Sequence, residues 1–187
     1  MAAADTNYLR NQQYRDASNL GARAQLHAKF STNRLGWPRW SFERLALPPS
    51  ARVLELGCGP GWSWRENRER IPAGWSLTLT DFSPGMLDEA RANLSSLERP
   101  PHFQCVDAQA LPFGDSSFDA VIAHHMLYHV PDRPRALAEI GRVLEPAGCL
   151  YAATNGAQNL LEIDELVASV APELGRGAIA GEDRDDV

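Results

Sequence analysis

The sequence predicts an α/β protein built on a doubly wound, mostly parallel sheet that is preceded by N-terminal helices. One observation behind this fold class is that five apolar, strand-like runs follow Ser50 and alternate with segments of helical hydrophobic spacing. Another is a glycine-rich turn directly after the first run, where open α/β sheets bind ligands. Because crossovers between parallel strands are right-handed, few other topologies fit this order of elements.

The five predicted strands are short and apolar along most of their length, which indicates a sheet covered on both faces. In chain order they are residues 51–56, 76–81, 102–107, 118–123 and 149–154.

Two helices between the strands are predicted from apolar residues three and four positions apart. One begins at Ser83-Pro84, an N-cap residue followed by proline. The other spans 134–144 and is ended by Ala147-Gly148. The residues expected to face the sheet are Leu87, Ala90, Leu94 and Leu97 in the first and Leu137, Ile140 and Leu144 in the second. A last amphipathic helix is expected between residues 160 and 170.

Three segments of the chain differ in composition. Residues 1–50 are expected to form an N-terminal helical cap, with helices near 20–30 and 37–47. Residues 51–174 are expected to form the α/β domain. Residues 175–187 are rich in Gly, Asp and Arg, and we expect a disordered tail there.

Composition and charge restrict the class of partner. The 187 residues are 44% hydrophobic and carry a formal net charge of −6, which suits one core and lacks the basic surplus typical of duplex-binding proteins. No apolar run is long enough to cross a bilayer. We therefore expect neither nucleic acid nor a membrane as partner.

The three cysteines, Cys58, Cys105 and Cys149, are too widely spaced for a metal site. We expect free thiols, as in a reducing compartment, and no bound metal. The N-terminus has no basic region followed by an apolar run, so it does not resemble a signal peptide. The expected location is therefore the cytoplasm.

Ligand-type residues follow the first three predicted strands. The segment Glu55-Leu-Gly-Cys-Gly-Pro-Gly61 permits a tight turn and a close approach of a ligand to the backbone. Asp81 ends the second strand, twenty residues after Gly61, where an acid of this fold accepts from ribose hydroxyls. Asp107 ends the third. The alternative for residues 55–61 is a plain strand-to-helix turn. For Asp81 it is an acid that precedes a helix, and for Asp107 it is an aspartate that only stabilises a turn.

The spacing of the glycines separates two kinds of nucleotide cofactor. A dinucleotide fingerprint reads Gly-x-Gly-x-x-Gly and places a pyrophosphate at a helix N-terminus. This turn reads Gly-x-Gly-x-Gly and is followed by Trp62. The sequence therefore disfavours a nicotinamide-dependent dehydrogenase.

Taken together, these motifs resemble class I S-adenosylmethionine-dependent methyltransferases, and most of all their type 11-like small-molecule group. The resemblance covers about residues 51–155, with motifs in family order at 55–61, Asp81, Asp107-Ala108, 118–121 and 142–148. It implies a Rossmann-like fold, S-adenosylmethionine as cofactor and methyl transfer to a small-molecule acceptor.

The resemblance also implies roles for the glycine turn. Glu55 would orient the turn or reach the cofactor's amino group. The residues that would line the methionine part of the cofactor are Gly57, Cys58, Gly59 and Gly61.

Further roles follow for the next two strand ends. Asp81 would hold both ribose hydroxyls, with Phe82 against the adenine. Met86 would pack on the other side of the ring, or would belong to the helix core. Asp107 would accept from the adenine amino group, beside the amide of Ala108.

Two more regions are candidates. His124 would lie near the methionine moiety, and His125 and His129 are the candidates for a catalytic base, with loop or packing roles as the alternative. Tyr14 and Arg15 are candidates to meet the cofactor carboxylate. A plain amphipathic helix docked on the sheet is the alternative for their segment.

No strand-like pair follows residue 170, so the family's C-terminal β-hairpin is not expected within this sequence. The alternatives are a naturally short chain, a truncated one, or a partner that covers the edge of the fifth strand. We therefore expect an uncovered edge on the fifth strand and self-association, most simply as a homodimer. The main hypothesis is an active methyltransferase. The alternative is a cofactor-binding module without methyl transfer activity, either regulatory or performing a different reaction on the same fold.

Overall fold

The computed structural model describes Tyr8, residues 12–156 and residues 161–171. The chain divides into two compact units, and residues 4–153 form the unit that contains the sheet. The second unit comprises Thr154–Val187 with Met1–Ala3, and its described part includes one helix, Leu161–Val170. The predicted tail at 175–187 lies outside the described residues.

The described part of the chain forms one parallel sheet of five strands in the order β3-β2-β1-β4-β5. The strands are β1 Arg52–Leu56, β2 Ser76–Asp81, β3 His102–Cys105, β4 Phe118–His124 and β5 Leu144–Ala153. The strand order reverses between β1 and β4, so their carboxyl ends form the switch point at which such sheets bind ligands. The predicted doubly wound sheet is confirmed.

Six α-helices accompany the strands in the described residues. They are α1 Ser18–Phe30, α2 Trp37–Phe42, α3 Trp62–Glu66, α4 Pro84–Asn93, α5 Arg133–Val143 and α6 Leu161–Val170, with 3₁₀ turns at Arg68–Arg70 and Leu127–His129. None of these helices has the length and apolar character needed to cross a bilayer.

The centre of the sheet is buried on both faces, whereas the edge strands β3 and β5 are partly exposed. Along β1, Val53 belongs to one hydrophobic cluster with Trp64 of α3, and Leu54 belongs to another with Ile140 of α5. Successive side chains of a strand point to opposite faces, so burial of both requires an apolar run. This explains why β4 shows no regular polar alternation.

Predicted details of two helices were wrong. The predicted helix 37–47 ends at Phe42, because the backbone hydrogen bonds of Arg44 and Leu45 shift to carbonyls three residues back. Helix α5 buries Ala136 and Ile140 and leaves Leu137 47% exposed, since neighbouring helix positions differ by about 100°.

The predicted ends of two strands also differ from the structure. Strand β3 ends at Cys105 rather than 107. Strand β5 begins at Leu144 rather than 149, because Leu144 pairs with Phe118 and Cys149 pairs with Ala120. The bulge between these pairs absorbs the Ala147-Gly148 dipeptide that was expected to lie outside the strand.

Candidate functional site

The turn after β1 requires glycine at particular positions. Gly57 has a φ of +67°, and a Cβ there would lie 2.8 Å from Cβ of Met126. Gly61 has a φ of +70° and is the N-cap residue of α3. A Cβ at Gly61 would lie 3.0 Å from Cδ1 of Leu94. Both the left-handed backbone and the close packing exclude larger residues. The turn is therefore held tightly between α4 and the loop after β4.

The carboxylate of Asp81 joins two turns at the switch point. One oxygen accepts from the backbone N–H of Gly59 at 2.9 Å, and the other from that of Ser83 at 2.8 Å. Burial raises the pKa of Asp81, and the bonds from Ser83 and Gly59 oppose that rise. Each carboxylate oxygen can accept a second hydrogen bond, so the group can still receive ligand hydroxyls.

Asp81 therefore fixes the two turns and still has lone pairs that can accept hydrogen bonds from a ligand. The hydroxyl of Ser83 accepts from the amide of Met86 at 3.3 Å and caps α4, as the sequence predicts.

Glu55 is buried beneath the turn, at 5% exposure. Its carboxylate accepts from the indole N–H of Trp64 on α3. Burial raises the pKa of Glu55 to about 7, with a smaller contribution from the charge of Asp81 and opposition from the Trp64 bond. Glu55 thus anchors α3, and it sits between protonated and charged forms near neutral pH.

Cys58 lies within the same turn, where its N–H donates to the carbonyl of Thr80 at 2.9 Å. Burial, together with Glu55 and Asp81, holds the pKa of its thiol well above the usual range. The thiol is therefore protonated at neutral pH. All three cysteines of the chain are free, as the sequence predicts.

The end of β3 lies beside the end of β2. The N–H of Val106 donates to the carbonyl of Asp81 at 3.1 Å. Asp107 follows in an exposed turn, and its carboxylate accepts from the backbone and side-chain N–H groups of Gln109 at 2.9–3.0 Å. Ala108 is buried behind it. Asp107 therefore has the turn role that the sequence analysis left open, and it lies on the same edge as Asp81.

Phe82 and Met86 are placed differently. Phe82 is 37% exposed at the end of β2, whereas Met86 is 1% exposed within the core side of α4. The burial of Met86 matches the helix-core alternative.

His124 is the last residue of β4, where its ring meets Trp37 of α2 at 5.4 Å between centroids. Burial, and then the nearby His125, lower its pKa to about 4. His125 has a φ of +55°, donates its N–H to the carbonyl of Ala153 at 2.8 Å and meets Trp37 at 4.9 Å. Sequence analysis did not assign Trp37 to the site. The sequence shows two tryptophans, Trp37 and Trp40, on either side of Pro38. However, no periodic pattern in the sequence relates α2 to the end of β4.

The N-terminal segment reaches the loop after β4. The hydroxyl of Tyr14 lies 2.8 Å from Nε2 of His129. The guanidinium of Arg15 pairs with Asp16 at 3.1 Å and is 75% exposed. Tyr14 and His129 are therefore brought together, and the Arg15 side chain faces solvent.

The same segment crosses the glycine turn toward α4. Leu20 lies 3.8 Å from the Cβ position of Gly59. The N–H of Ala17 donates to Glu89 of α4 at 2.8 Å, and the carbonyl of Arg15 packs directly on Gly85. The backbone of the segment thus covers the edge at which Glu55 and Asp81 lie.

A small cavity separates α2 and α3 from the ends of β1 and β4. It is lined by Ser41, Phe42, Leu45, Glu55, Ser63, Trp64, Ile122 and His124. In the described part of the chain, no group of three or more His, Cys, Asp or Glu side chains is arranged to hold a metal ion.

A glycine turn at the switch point, with acids at the ends of the next two strands, defines a nucleoside-binding α/β domain. The family is then settled by comparison. The family model described as "Methyltransferase domain" matches residues 54–152, and the chain belongs to this family.

Two relatives illustrate the range of acceptors in the family. Malonyl-(acyl-carrier protein) O-methyltransferase of Halorhodospira halophila is 35% identical over 122 residues, which cover 65% of this chain and 41% of that protein. Ubiquinone/menaquinone biosynthesis C-methyltransferase UbiE of Geotalea daltonii is 31% identical over 114 residues, 60% of this chain and 48% of that protein. The chain thus spans less than half the length of these relatives.

Two solved structures share the fold. An S-adenosylmethionine-dependent methyltransferase from Mesorhizobium loti has a TM-score of 0.54 at 29% identity, covering 65% of this chain and 56% of that one. The (4+2)-cyclase SpnF has a TM-score of 0.58 at 25% identity, covering 73% of this chain and 59% of that one. The family's cofactor is S-adenosylmethionine.

Proposed function

We propose that this chain transfers the methyl group of S-adenosylmethionine to a small-molecule acceptor. The observation that carries the proposal is the Asp81 carboxylate, which is fixed by the amides of Gly59 and Ser83 at the switch point. A nucleoside cofactor needs an oriented acceptor at this place.

The side chains at the ends of β2 and β3 fit the ribose and adenine parts of the cofactor. Asp81 keeps lone pairs for two ribose hydroxyls. The half-exposed ring of Phe82 next to it offers a face for the adenine. Asp107, with the amide of Ala108, would accept from and donate to the adenine edge. For Met86 we propose a core role supporting α4 rather than contact with the ring.

The acids also suit the methionine part. Its sulfonium and ammonium carry positive charge, which the charges of Asp81 and Glu55 stabilise electrostatically. Gly57, Cys58, Gly59 and Gly61 would line this part with backbone. Glu55 acts by fixing α3 and the turn through Trp64. Tyr14 would hold the N-terminal segment over this region through its contact with His129. Arg15 would contribute through its backbone carbonyl, which packs on Gly85.

The acceptor would lie beyond the end of β4, near His124. The bound cofactor supplies a methyl group activated by the sulfonium, so the reaction forms the acceptor–methyl bond as the sulfur–methyl bond breaks. With a pKa of about 4, His124 is neutral and a weak base, so its role is to position the acceptor. Nε2 of His129 is engaged by Tyr14. Alignment of acceptor and methyl group is then the main source of rate, and His125 is the remaining candidate for a base.

The relatives support a small-molecule acceptor without naming it. One is named for O-methylation of a malonyl carrier and the other for C-methylation in quinone biosynthesis. The second candidate function is a different reaction on the same fold, and the similarity to the (4+2)-cyclase SpnF favours keeping it.

The deciding experiment is incubation with methyl-labelled S-adenosylmethionine and fractionated metabolite extract. We expect label in a small-molecule fraction, and loss of that label with Asp81→Asn. Tight binding of the demethylated cofactor without transfer to any fraction would replace this proposal with the second candidate.

A further proposal concerns assembly. Among the described residues, β5 pairs with β4 along one edge. A free strand edge is a template for pairing with a second chain. We therefore propose a homodimer joined at β5.

A further inference from the structure

An aromatic cluster lies at the start of α2, outside the glycine turn and the two aspartates to which we assign the cofactor. Trp37 stacks on Trp40, with ring centroids 5.3 Å apart and an interplanar angle of 29°. The imidazoles of His124 and His125 meet Trp37 at angles of 74° and 63°. We call these four residues the Trp37 cluster. It joins α2 to the end of β4, where the acceptor would lie.

Trp37 keeps 39% of its surface exposed although three rings pack against it. A large aromatic side chain that is fixed by neighbours and still open to solvent loses little further freedom when it binds a ligand. By contrast, Trp64 and Trp75 are 3% and 5% exposed and belong to the core. The Trp37 indole therefore presents a fixed, flat surface.

A cation lies on one ring of the cluster. The guanidinium of Arg44 lies over Trp40, 3.5 Å from the ring centroid. The low pKa of His124 keeps its imidazole uncharged at neutral pH. Because Arg44 already covers part of Trp40, the exposed surface of Trp37 is the part of the cluster that can stack on a planar ligand.

The small cavity extends this surface inward. Ser41 and Phe42 of α2 line it together with His124. The same short helix thus lines the cavity and carries Trp37, so α2 is placed to recognise the acceptor while the glycine turn recognises the cofactor.

We infer that Trp37 is the acceptor-positioning residue of this domain, and that the acceptor presents a planar ring to the exposed surface of Trp37. This inference rests on the proposed methyl transfer and adds the class of its acceptor. Offset stacking on the indole would hold the ring near the end of β4, within reach of the methyl group.

The test uses 2-naphthol as a planar probe and cyclohexanol as its non-planar counterpart, with the demethylated cofactor present. Calorimetry should show 2-naphthol binding the parent at least about tenfold more tightly than cyclohexanol. Trp37→Ala should weaken 2-naphthol binding by about tenfold, which corresponds to a lost stacking contact of about 1.4 kcal/mol. Trp37→Phe should recover most of that loss, because the phenyl ring can still stack.

Matched controls separate recognition from folding. Phe30→Ala removes an aromatic side chain that is 73% exposed and lies outside the cluster, so it should leave probe binding at the parental value. In the parent, the indole N–H resonance of Trp37 should shift on addition of 2-naphthol while those of Trp64 and Trp75 stay in place. This measurement needs no substitution.

The outcomes distinguish the two proposals. Failure of the demethylated cofactor to bind the parent would overturn the proposed function. If the cofactor binds but 2-naphthol and cyclohexanol bind equally, or the Trp37 resonance does not move, the inference about the acceptor is wrong and the proposed function stands.

Discussion

The carboxylate of Asp81 accepts a hydrogen bond from the backbone N–H of Gly59 at 2.9 Å, across 22 residues of sequence. This contact fixes the turn after β1 to the end of β2. The proposed ribose site and the glycine turn are therefore one structural unit, and a change in either affects both.

The first prediction concerns Asp81. Asp81→Ala should weaken binding of the demethylated cofactor by about 1–3 kcal/mol, because ribose hydroxyls and the Gly59 amide lose a buried charged acceptor. Calorimetric titration measures the change. Asp88→Ala is the control, since Asp88 lies on α4, the helix that follows Asp81, is 75% exposed and pairs with Arg91. If a folded Asp81→Ala variant binds with parental affinity, Asp81 only stabilises the turn and does not bind the ribose.

The second prediction is a pH dependence of stability caused by Glu55. Its pKa is about 7 in the folded chain against an ordinary value of 4.5, mainly because of burial. The folded state therefore binds the Glu55 proton more tightly, and the contribution of Glu55 to the free energy of unfolding should fall by about 3 kcal/mol at most as pH rises from about 4.5 to about 7. His124 acts in the opposite direction, because its pKa is about 4 in the folded chain against an ordinary value of 6.5. The contribution of Glu55 is therefore measured as a difference between the parent and a variant.

Denaturant unfolding at a series of pH values checks this slope. Glu55→Gln keeps an acceptor for Trp64 and removes the titration, so the free energy of unfolding of the parent minus that of the variant should fall by about 3 kcal/mol at most across this range. His124 and Asp81 titrate in both proteins, so their effects largely cancel in the difference. Glu66→Gln, at an exposed position, should keep the parental slope. An unchanged slope in Glu55→Gln would show that Glu55 does not titrate in this range.

The third prediction compares two glycines. Gly57→Ala should destabilise the fold by about 1–3 kcal/mol, because its φ is +67° and the new Cβ would press on Met126. Gly141→Ala in α5 should stabilise by roughly 0.5–1 kcal/mol, since no described atom lies within 4 Å of its Cβ position. Urea unfolding measures both. Equal effects of the two substitutions would contradict the strained, tightly packed turn.

The fourth prediction concerns the edge of β5. Light scattering coupled to size exclusion should give twice the monomer mass at high micromolar concentration, because the strand edge can pair with a second chain. Ala152→Pro should shift the equilibrium toward monomer. The carbonyl of Ala153 accepts from His125 on the β4 side, so the N–H of the neighbouring Ala152 points to the opposite edge of β5. A clean monomer for the parent would remove the proposed dimer.

The sequence predicts the sheet well because the central strands β1 and β4 are buried on both faces and turn residues flank the strands. Leu137 shows where this reasoning fails, since the pattern around α5 fits two neighbouring faces and only packing against the sheet selects Ala136 and Ile140. The five-residue helix α3 was missed because it is held by Trp64 and the glycine turn rather than by its own propensity.

For the candidate site, the local motifs were recognisable and the long-range contacts were not. The positions of Asp81 and the glycine turn follow from strand ends. The contacts between Tyr14 and His129, and between Trp37 and His124, join segments with no periodic relationship in sequence. Such contacts depend on how the N-terminal segment packs, which single-sequence patterns do not encode.

The central claim is that the switch point binds S-adenosylmethionine, and calorimetric titration of the full chain with its demethylated product is the most direct measurement. We predict saturable binding with one site per chain, a raised melting temperature as expected for any ligand of the native state, and competition by S-adenosylmethionine. NADH, whose pyrophosphate needs a different glycine spacing, should give no binding heat. Binding of NADH, together with no heat from either form of the methyl-donor cofactor, would contradict the account.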